Sequence, residues 1–355
     1  MQKLLKPYSK NGLSLKNHIV MAPMTRSRAI NNLPNDLMAE YYAQRTGAGL
    51  IITEGTAPAP EALGYPRIPG IFSEAQIQGW EKITKAVHEG NSKIFLQIMH
   101  TGRIGHTANL PDGAKVIGVS NIKAAGQIFT DTLGLQDNSE PEALSTEGIE
   151  KVVSQFVVGA KNAIAAGFDG VELHGANGYL IEQFLNPHVN NRTDEYGGSI
   201  TNRAKFVLDV AEKTAAAIGK EKLGIRFSPF NTFNDMAKYD ENEVQETYAY
   251  LSKELNKMGI AYLHIGVNAD IPKKTFDTIR SNFTNTIIQC NGFTPETAET
   301  ALDKGFADLA AFARSFLANP DLVKRIETGA ALNEVDYSTA YTPGAKGYTD
   351  YATLI

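Results

Sequence analysis

The stretch His18-Ile19-Val20-Met21-Ala22-Pro23-Met24-Thr25-Arg26 decides between two folds. Its first five residues form a short apolar run of the kind that makes a buried strand, and the run ends on Pro23 rather than on a glycine-rich turn. A doubly wound dinucleotide-binding sheet would carry Gly-x-Gly-x-x-Gly at that exit, to let a pyrophosphate approach the backbone. Outward from it, runs of the same kind recur at residues 50–53, 94–98, 170–173, 223–227, 261–265, 286–289 and 308–312, making eight with residues 18–22. Helical patterns fill the intervals. Ser73 with Gln76 forms a capping box, Thr294 caps a helix with Pro295 in its first turn, and Asn319 with Pro320 is expected to do the same. Eight alternating strand-helix pairs predict an α/β fold, a (β/α)8 TIM barrel, as one domain over residues 1–355.

Three parts fall outside this rhythm. Residues 4–16 alternate around Asn11-Gly12, a hairpin signal, and are placed as a plug in the N-terminal mouth of the barrel. Residues 104–144 follow the third strand and are far longer than an ordinary loop, so they are expected to cap the C-terminal face, where barrel enzymes keep their active sites. The tail beyond Gly329 carries Tyr337, Tyr341, Tyr348 and Tyr351 and is expected to pack rather than hang free.

Composition narrows the function. With 43% hydrophobic and 21% charged residues the chain has ample material for a core. A net charge of −5 offers no field for a phosphate backbone, which argues against nucleic acid. Cys290 is the only cysteine, so no internal disulfide forms and a reducing, cytoplasmic setting is expected. No run approaches the roughly 18 apolar residues of a membrane span, and residues 1–10 lack the apolar core of a signal peptide.

In a barrel the residues where strands become loops carry the chemistry. Here they include Thr25, Gln97, His100, His174, Asn177, Arg226, Asn291, Gly292, Ala313 and Arg314. There is no lysine among them for a Schiff base, and His100 with His174 would not complete a metal site. What remains suits a flat polar heterocycle bearing a phosphate. Gly292 permits close backbone approach and Arg314 supplies a forked cation, on the two loops where barrels commonly bind phosphate. Arg226 has two open readings, neutralising charge on the ring or forming an ion pair inside the barrel. Gln97 and Thr25 offer contacts to ring carbonyl edges, although each taken singly reads as a loop hydrogen-bonding residue. A lone histidine at a strand end is more often structural. His174 and Asn177 together, however, could grip one carbonyl or nitro oxygen of a conjugated alkene, with Tyr179 close by as a proton donor.

At this point the sequence resembles the old yellow enzyme family of FMN ene-reductases across nearly its whole length. The resemblance is carried by the residues from Asn17 to Arg26, by Gly64-Tyr65-Pro66-Arg67-Ile68-Pro69-Gly70, by Leu173-His174-Gly175-Ala176-Asn177-Gly178-Tyr179-Leu180 and by Asn191-Arg192-Thr193-Asp194-Glu195-Tyr196-Gly197-Gly198-Ser199. It ends with Asn291-Gly292 and Ala313-Arg314. The resemblance implies that Pro23, Met24, Thr25, Ala57, Gln97, Arg226, Asn291, Gly292, Ala313 and Arg314 hold FMN non-covalently. It further implies that His174 and Asn177 bind the substrate oxygen, that Tyr179 gives the proton, and that Tyr65 and Tyr348 line the substrate pocket. NADPH or NADH would supply hydride to a flavin that reduces electron-poor alkenes, xenobiotic ones included, in a monomer or homodimer.

The stretch from Asn191 to Ser199 reads as loop structure, with Ser199 capping the next helix. Thr25 stands where one branch has cysteine, and Asn177 where some relatives have a second histidine. Met99 replaces a tryptophan common two residues after the glutamine, so the substrate range does not carry over. Two rivals are weighed. Barrel flavoenzymes such as dienoyl-thioester reductases add a four-cysteine iron-sulfur cluster, which Cys290 alone cannot hold. A passive flavin-binding sensor would have no use for His174, Asn177 and Tyr179 together.

Overall fold

An antiparallel hairpin opens the computed structural model, which describes residues 3–266 and 271–354. Its strands β1 (Tyr8–Lys10) and β2 (Leu13–Leu15) turn on Asn11 and Gly12, both left-handed at φ 49° and 85°. Parallel strands follow: β3 (Ile19–Met21), β4 (Leu50–Ile52) and β5 (Lys93–Ile98). The insertion after β5 contains β6 (Ile117–Gly118) and β9 (Glu142–Ala143), which pair with each other, and between them the hairpin β7 (Gln127–Thr130) and β8 (Gly134–Asp137). Then come β10 (Gly170–Gly175), β11 (Leu223–Phe227), β12 (Tyr262–Gly266), β13 (Thr286–Cys290) and β14 (Leu309–Phe312). Because β14 pairs with β3 and β5 with β10, the eight parallel strands close into a barrel. The strands thus fall where the apolar runs put them, within a residue or two.

Ten helices among the described residues surround or cap the barrel. They are α1 (Asp36–Ala43), α2 (Glu74–Glu89), α3 (Thr146–Ala165), α4 (Leu180–Leu185), α5 (Ile200–Ile218), α6 (Glu241–Met258), α7 (Lys273–Asn282), α8 (Pro295–Asp303), α9 (Arg314–Ala318) and α10 (Leu322–Thr328). Capping boxes start α2 at Ser73 and α8 at Thr294, and the Ser199 side chain caps α5. Asn319 departs from expectation. Its amide donates to the Ser315 carbonyl and its oxygen accepts from the Asn333 backbone, so it closes α9, and α10 starts after Asp321.

Side chains alternate across each strand, and that alternation builds two cores. Ile19, Met21, Ile51, Ile94, Leu96 and Ile98 point outward into the layer packed by the helices. Val20, Ala22, Leu50, Ile52 and Phe95 point inward, where Tyr8, Leu13 and Leu15 of the hairpin join them as the expected plug. Gly224 is required inside this ring, because a Cβ there would stand 2.1 Å from the buried Tyr262 ring. With one end filled, only the C-terminal face is left open for a site.

The tail packs unevenly. Tyr348 is fully buried and stacks on Tyr41 with ring centroids 4.0 Å apart, whereas Tyr337 and Tyr341 are 62% and 63% exposed. Buried arginines hold this segment by its backbone. Arg26 donates to the carbonyls of Ala340 and Gly347, and Arg28 to those of Thr339, Ala340 and Lys346. Arg45 reaches the Tyr348 carbonyl and lies over the Tyr41 ring.

Candidate active site

Two connected chambers open on the C-terminal face. The larger, about 810 Å³, has a floor of strand exits: Pro23, Thr25, Gly55, Gln97, Met99, His174 and Arg226. Tyr65, Asn177 and Tyr179 form one wall, and the roof comes from Ile128 and Phe129 of β7 with Tyr337 and Tyr341 of the tail. The insertion therefore caps the site as expected. The smaller chamber, about 430 Å³, shares Asn177 and Arg226 with the first and continues past Gly266 and Cys290 to Gly292, Ala313 and Arg314.

The donors and acceptors of this trough are set from beneath. Glu172 is fully buried, accepts Gln97 Nε2 at 2.8 Å on one oxygen and meets His264 Nδ1 at 2.9 Å on the other. Gln97 has thus committed its amide donor downward, and its carbonyl oxygen remains for the trough. Burial works against the charge on Glu172, but His264 beside it holds the carboxyl below its ordinary value. Arg226 forms no ion pair among the described residues, and its Nε is buried without a partner. The Arg226 charge does act on the buried Glu172, helping to hold that carboxyl down, while the unmatched Nε is a spare donor on a residue that lines both chambers.

On the opposite wall, His174 Nδ1 accepts the Ala176 N–H at 3.3 Å, which leaves Nε2 as the donor. Burial, with Arg226 and His264 nearby, pushes the imidazole well below its ordinary value, so it is neutral near pH 7. Asn177 has a left-handed φ of 58°, its backbone N–H donates to Ser228 Oγ and its carbonyl accepts from Asn234 Nδ2. Its side-chain amide has no partner among the described residues. Tyr179 packs edge-on against His174, centroids 4.9 Å apart, and donates to the Tyr65 hydroxyl at 3.1 Å. Burial first, and Tyr65 second, raise Tyr179 well above the ordinary phenol value, so it keeps its proton.

Several expected site residues lie elsewhere. Tyr348 does not reach the trough. It is locked between Tyr41 and the Arg26 and Arg28 guanidiniums, and Tyr337 and Tyr341 take the wall assigned to it. Since its hydroxyl has no partner, Tyr348→Phe should leave enone turnover unchanged and unfolding stability within about 1 kcal/mol, read by steady-state assay and chemical denaturation. A severalfold change in KM would put it back in the pocket. Ala57 offers no free backbone group, because its N–H and C=O are used by Pro69 and Ile71 and Gly55 lines the floor instead. Met24 packs on the core, and Asn291 is exposed outside the trough while Cys290 lines it. His100 is structural: it is buried, accepts the Gly102 N–H, and is pushed down to about 4 mainly by burial.

Sequence reasoning missed Asn234, Ser228 and the Tyr337 and Tyr341 wall. Asn234 and Ser228 lie in the loop after β11, where polar residues give no periodic signal. The aromatic wall depends on buried arginines far away in the chain.

The fit to a flavin mononucleotide can be tested on these atoms. A flat ring needs an acceptor, donors and a cation along one edge, which the Gln97 oxygen, the Thr25 hydroxyl and the unmatched Arg226 provide. A phosphate needs a close backbone and a forked cation, and Gly292 at φ 59° stands beside Arg314 on the wall of the smaller chamber, the position of its absent Cβ 3.6 Å from Arg314 Nη2. Fold and trough together define a barrel flavoprotein of the oxidoreductase class.

The comparisons agree. The family described as NADH:flavin oxidoreductase / NADH oxidase matches residues 3–333. The chain is 41% identical to 12-oxophytodienoate reductase 1 of Oryza sativa subsp. japonica over 361 residues, 99% of this chain and 93% of the relative. It is 39% identical to a probable flavin mononucleotide-dependent alkene reductase of Leishmania infantum over 356 residues, 98% and 96% of the two chains. A solved structure of morphinone reductase in complex with tetrahydroNAD superposes with a TM-score of 0.96 at 41% identity, covering 100% of this chain and 98% of that one. The chain belongs to the NADH:flavin oxidoreductase / NADH oxidase family, the FMN-dependent alkene reductases of old yellow enzyme type.

Proposed function

We propose that Thr25, Gln97 and Arg226 would hold the ring of FMN, and Gly292, Ala313 and Arg314 its phosphate. His174 and Asn177 clamp the substrate oxygen, and Tyr179 is the proton donor. FMN, when bound, would supply the hydride, drawn from NADPH or NADH, for the β carbon of an alkene conjugated to a carbonyl or nitro group. The observation that carries this reading is the convergence on one wall of two free neutral donors, His174 Nε2–H and the Asn177 amide, with a phenol that keeps its proton. Two such donors stabilise charge growing on an oxygen without adding charge of their own. Tyr179 then delivers its proton to the α carbon, with Tyr65 hydrogen-bonded behind it for reprotonation. Phe129, Tyr337 and Tyr341 line the solvent side of the trough with apolar ring surface. Met99 lines the chamber, a flexible side chain where relatives often carry tryptophan, so substrate size is left to measurement.

The test is a titration of the purified yellow protein with a simple phenol, followed by NADPH consumption with 2-cyclohexenone. A long-wavelength charge-transfer band and enone-dependent turnover are expected, and absence of both would remove the clamp from the substrate site. Arg314→Ala tests the phosphate end. Loss of one charge-assisted contact should weaken FMN binding by about 1.5–3 kcal/mol, measured by fluorescence of released flavin. A variant that stays fully yellow through exhaustive dialysis would clear Arg314 of that role. We further propose one functional domain capped by the insertion, acting in the cytoplasm as a monomer or homodimer, with sedimentation deciding between these states. The lone cysteine supports that setting.

A further inference from the structure

Glu182 lines neither chamber, yet it is tied to the loop that carries the clamp. It lies on α4, is 5% exposed, and gathers four donors: the Gly178 N–H, Asn231 Nδ2 at 3.0 Å, Ser228 Oγ at 3.0 Å and the Tyr248 hydroxyl of α6. Ser228 in turn accepts the Asn177 N–H at 2.8 Å. Asn177 and Gly178 are both left-handed, at φ 58° and 78°. Asparagine tolerates this region better than most non-glycine residues, and here two backbone contacts of Asn177, to Ser228 and from Asn234, fix it. Two successive N–H groups thus converge on one carboxylate, directly from Gly178 and through Ser228 from Asn177, as in backbone anion nests.

We propose that Glu182 is a positioning residue whose negative charge holds Asn177 in the clamp, so that protonating it loosens the clamp and weakens alkene reduction. The inference rests on the clamp reading above. A carboxylate accepts at about four positions, and here every neighbour is a donor, so an added proton meets a donor and one bond must open. Burial pushes the Glu182 carboxyl up to about 7, against the lowering by Gly178, Ser228, Asn231 and Tyr248. Tyr248 and Tyr239 face it with hydroxyls that burial keeps neutral, while Lys238 and Glu241 stand on the walls of a separate cavity of about 290 Å³ beside it. The raised value means that the native state holds this proton more tightly than the unfolded chain does. Its contribution to stability is full below about 4.5 and is lost as pH rises through about 7, the same interval in which the clamp becomes ordered.

The holoenzyme is the material for the test. In wild type, kcat/KM for 2-cyclohexenone, a substrate that does not itself ionise, should rise roughly tenfold from about pH 6 to about pH 8. Glu182→Gln should abolish that limb and weaken the phenol about tenfold at the alkaline end, leaving the bound-FMN absorbance intact. A purely structural role would lower stability without moving the limb. Glu54, another buried carboxyl pushed up to about 7, is the competing source, and Glu54→Gln should keep the limb. If Glu182→Gln does not fold, Ser228→Ala removes the relay between Glu182 and Asn177, leaves the other three donors to the carboxylate in place, and should shrink the limb. A flat wild-type profile, a limb that survives in Glu182→Gln and Ser228→Ala, or one that vanishes in Glu54→Gln overturns the inference. Phenol affinity indifferent to Asn177→Ala overturns the clamp reading instead.

Discussion

Replacing Tyr179 by phenylalanine should leave the bleaching of the holoenzyme by NADPH within a few-fold of wild type. The same change should slow reoxidation by 2-cyclohexenone by about 10²- to 10⁴-fold, the usual worth of a positioned general acid. Hydride arrival at the enzyme needs no acid, whereas alkene reduction leaves a carbanion to be protonated. Burial makes Tyr179 a weak acid, but an enolate carbon is a far stronger base, so the transfer remains downhill. Its ring sits edge-on against His174, and its hydroxyl lies in the same trough, hydrogen-bonded to Tyr65. A nitroalkene is the control, because a nitronate is stable enough to leave unprotonated, and its hydride step should suffer less. Stopped-flow traces for the two halves decide the matter. Equal slowing of both, or none of the second, would make Tyr179 a packing residue and water the acid.

The paired replacement of His174 and Asn177 by alanine should weaken p-hydroxybenzaldehyde binding by about 10²- to 10⁴-fold. Each donor gives a charge-assisted hydrogen bond to a phenolate worth roughly 1.5–3 kcal/mol, and each 1.4 kcal/mol is a factor of about ten. Enone kcat/KM should fall alongside, because the oxygen that gains charge in the reaction uses the same donors. The imidazole is held neutral by burial and by Arg226, so above about pH 6 phenol affinity should follow the ionisation of the phenol and of Glu182 rather than that of His174. Spectral titration of the double variant at several pH values reads all of this. Wild-type affinity in that variant would take both residues out of the substrate site.

How much of this was legible in the sequence depends on how local the determinants are. The barrel strands could be read because each is a short apolar run, and their number left one closed arrangement. Thr25, Gln97, His174, Arg226, Gly292 and Arg314 could be read because a barrel turns strand exits into a site. Tyr348 could not be told from Tyr337 and Tyr341 by any local rule. Its burial is decided by Arg26, Arg28 and Arg45, and arginines buried to 0–1% exposure run against ordinary expectation. Asn319 misled for a similar reason. A polar residue before proline looks like a helix start, and only the distant Asn333 N–H shows that it closes the preceding turn. Glu172 and His264 read as single polar residues in apolar strands, and their pairing across the barrel is visible only in three dimensions.

The arginines after the first strand also set an order of events during synthesis. Arg26 finds its acceptors at Ala340 and Gly347, 314 and 321 residues further on. Until that segment is made, Arg26 lacks both of these carbonyls and Arg28 keeps only the local Arg26 carbonyl, and burying a charged donor without its partners costs more than the about 1–3 kcal/mol of a neutral group. The exit of the first strand, where the flavin-facing loop begins, therefore stays hydrated until the segment around residues 339–347 arrives. Ordering of the β3 exit and arrival of the Tyr337 and Tyr341 segment thus become one late step.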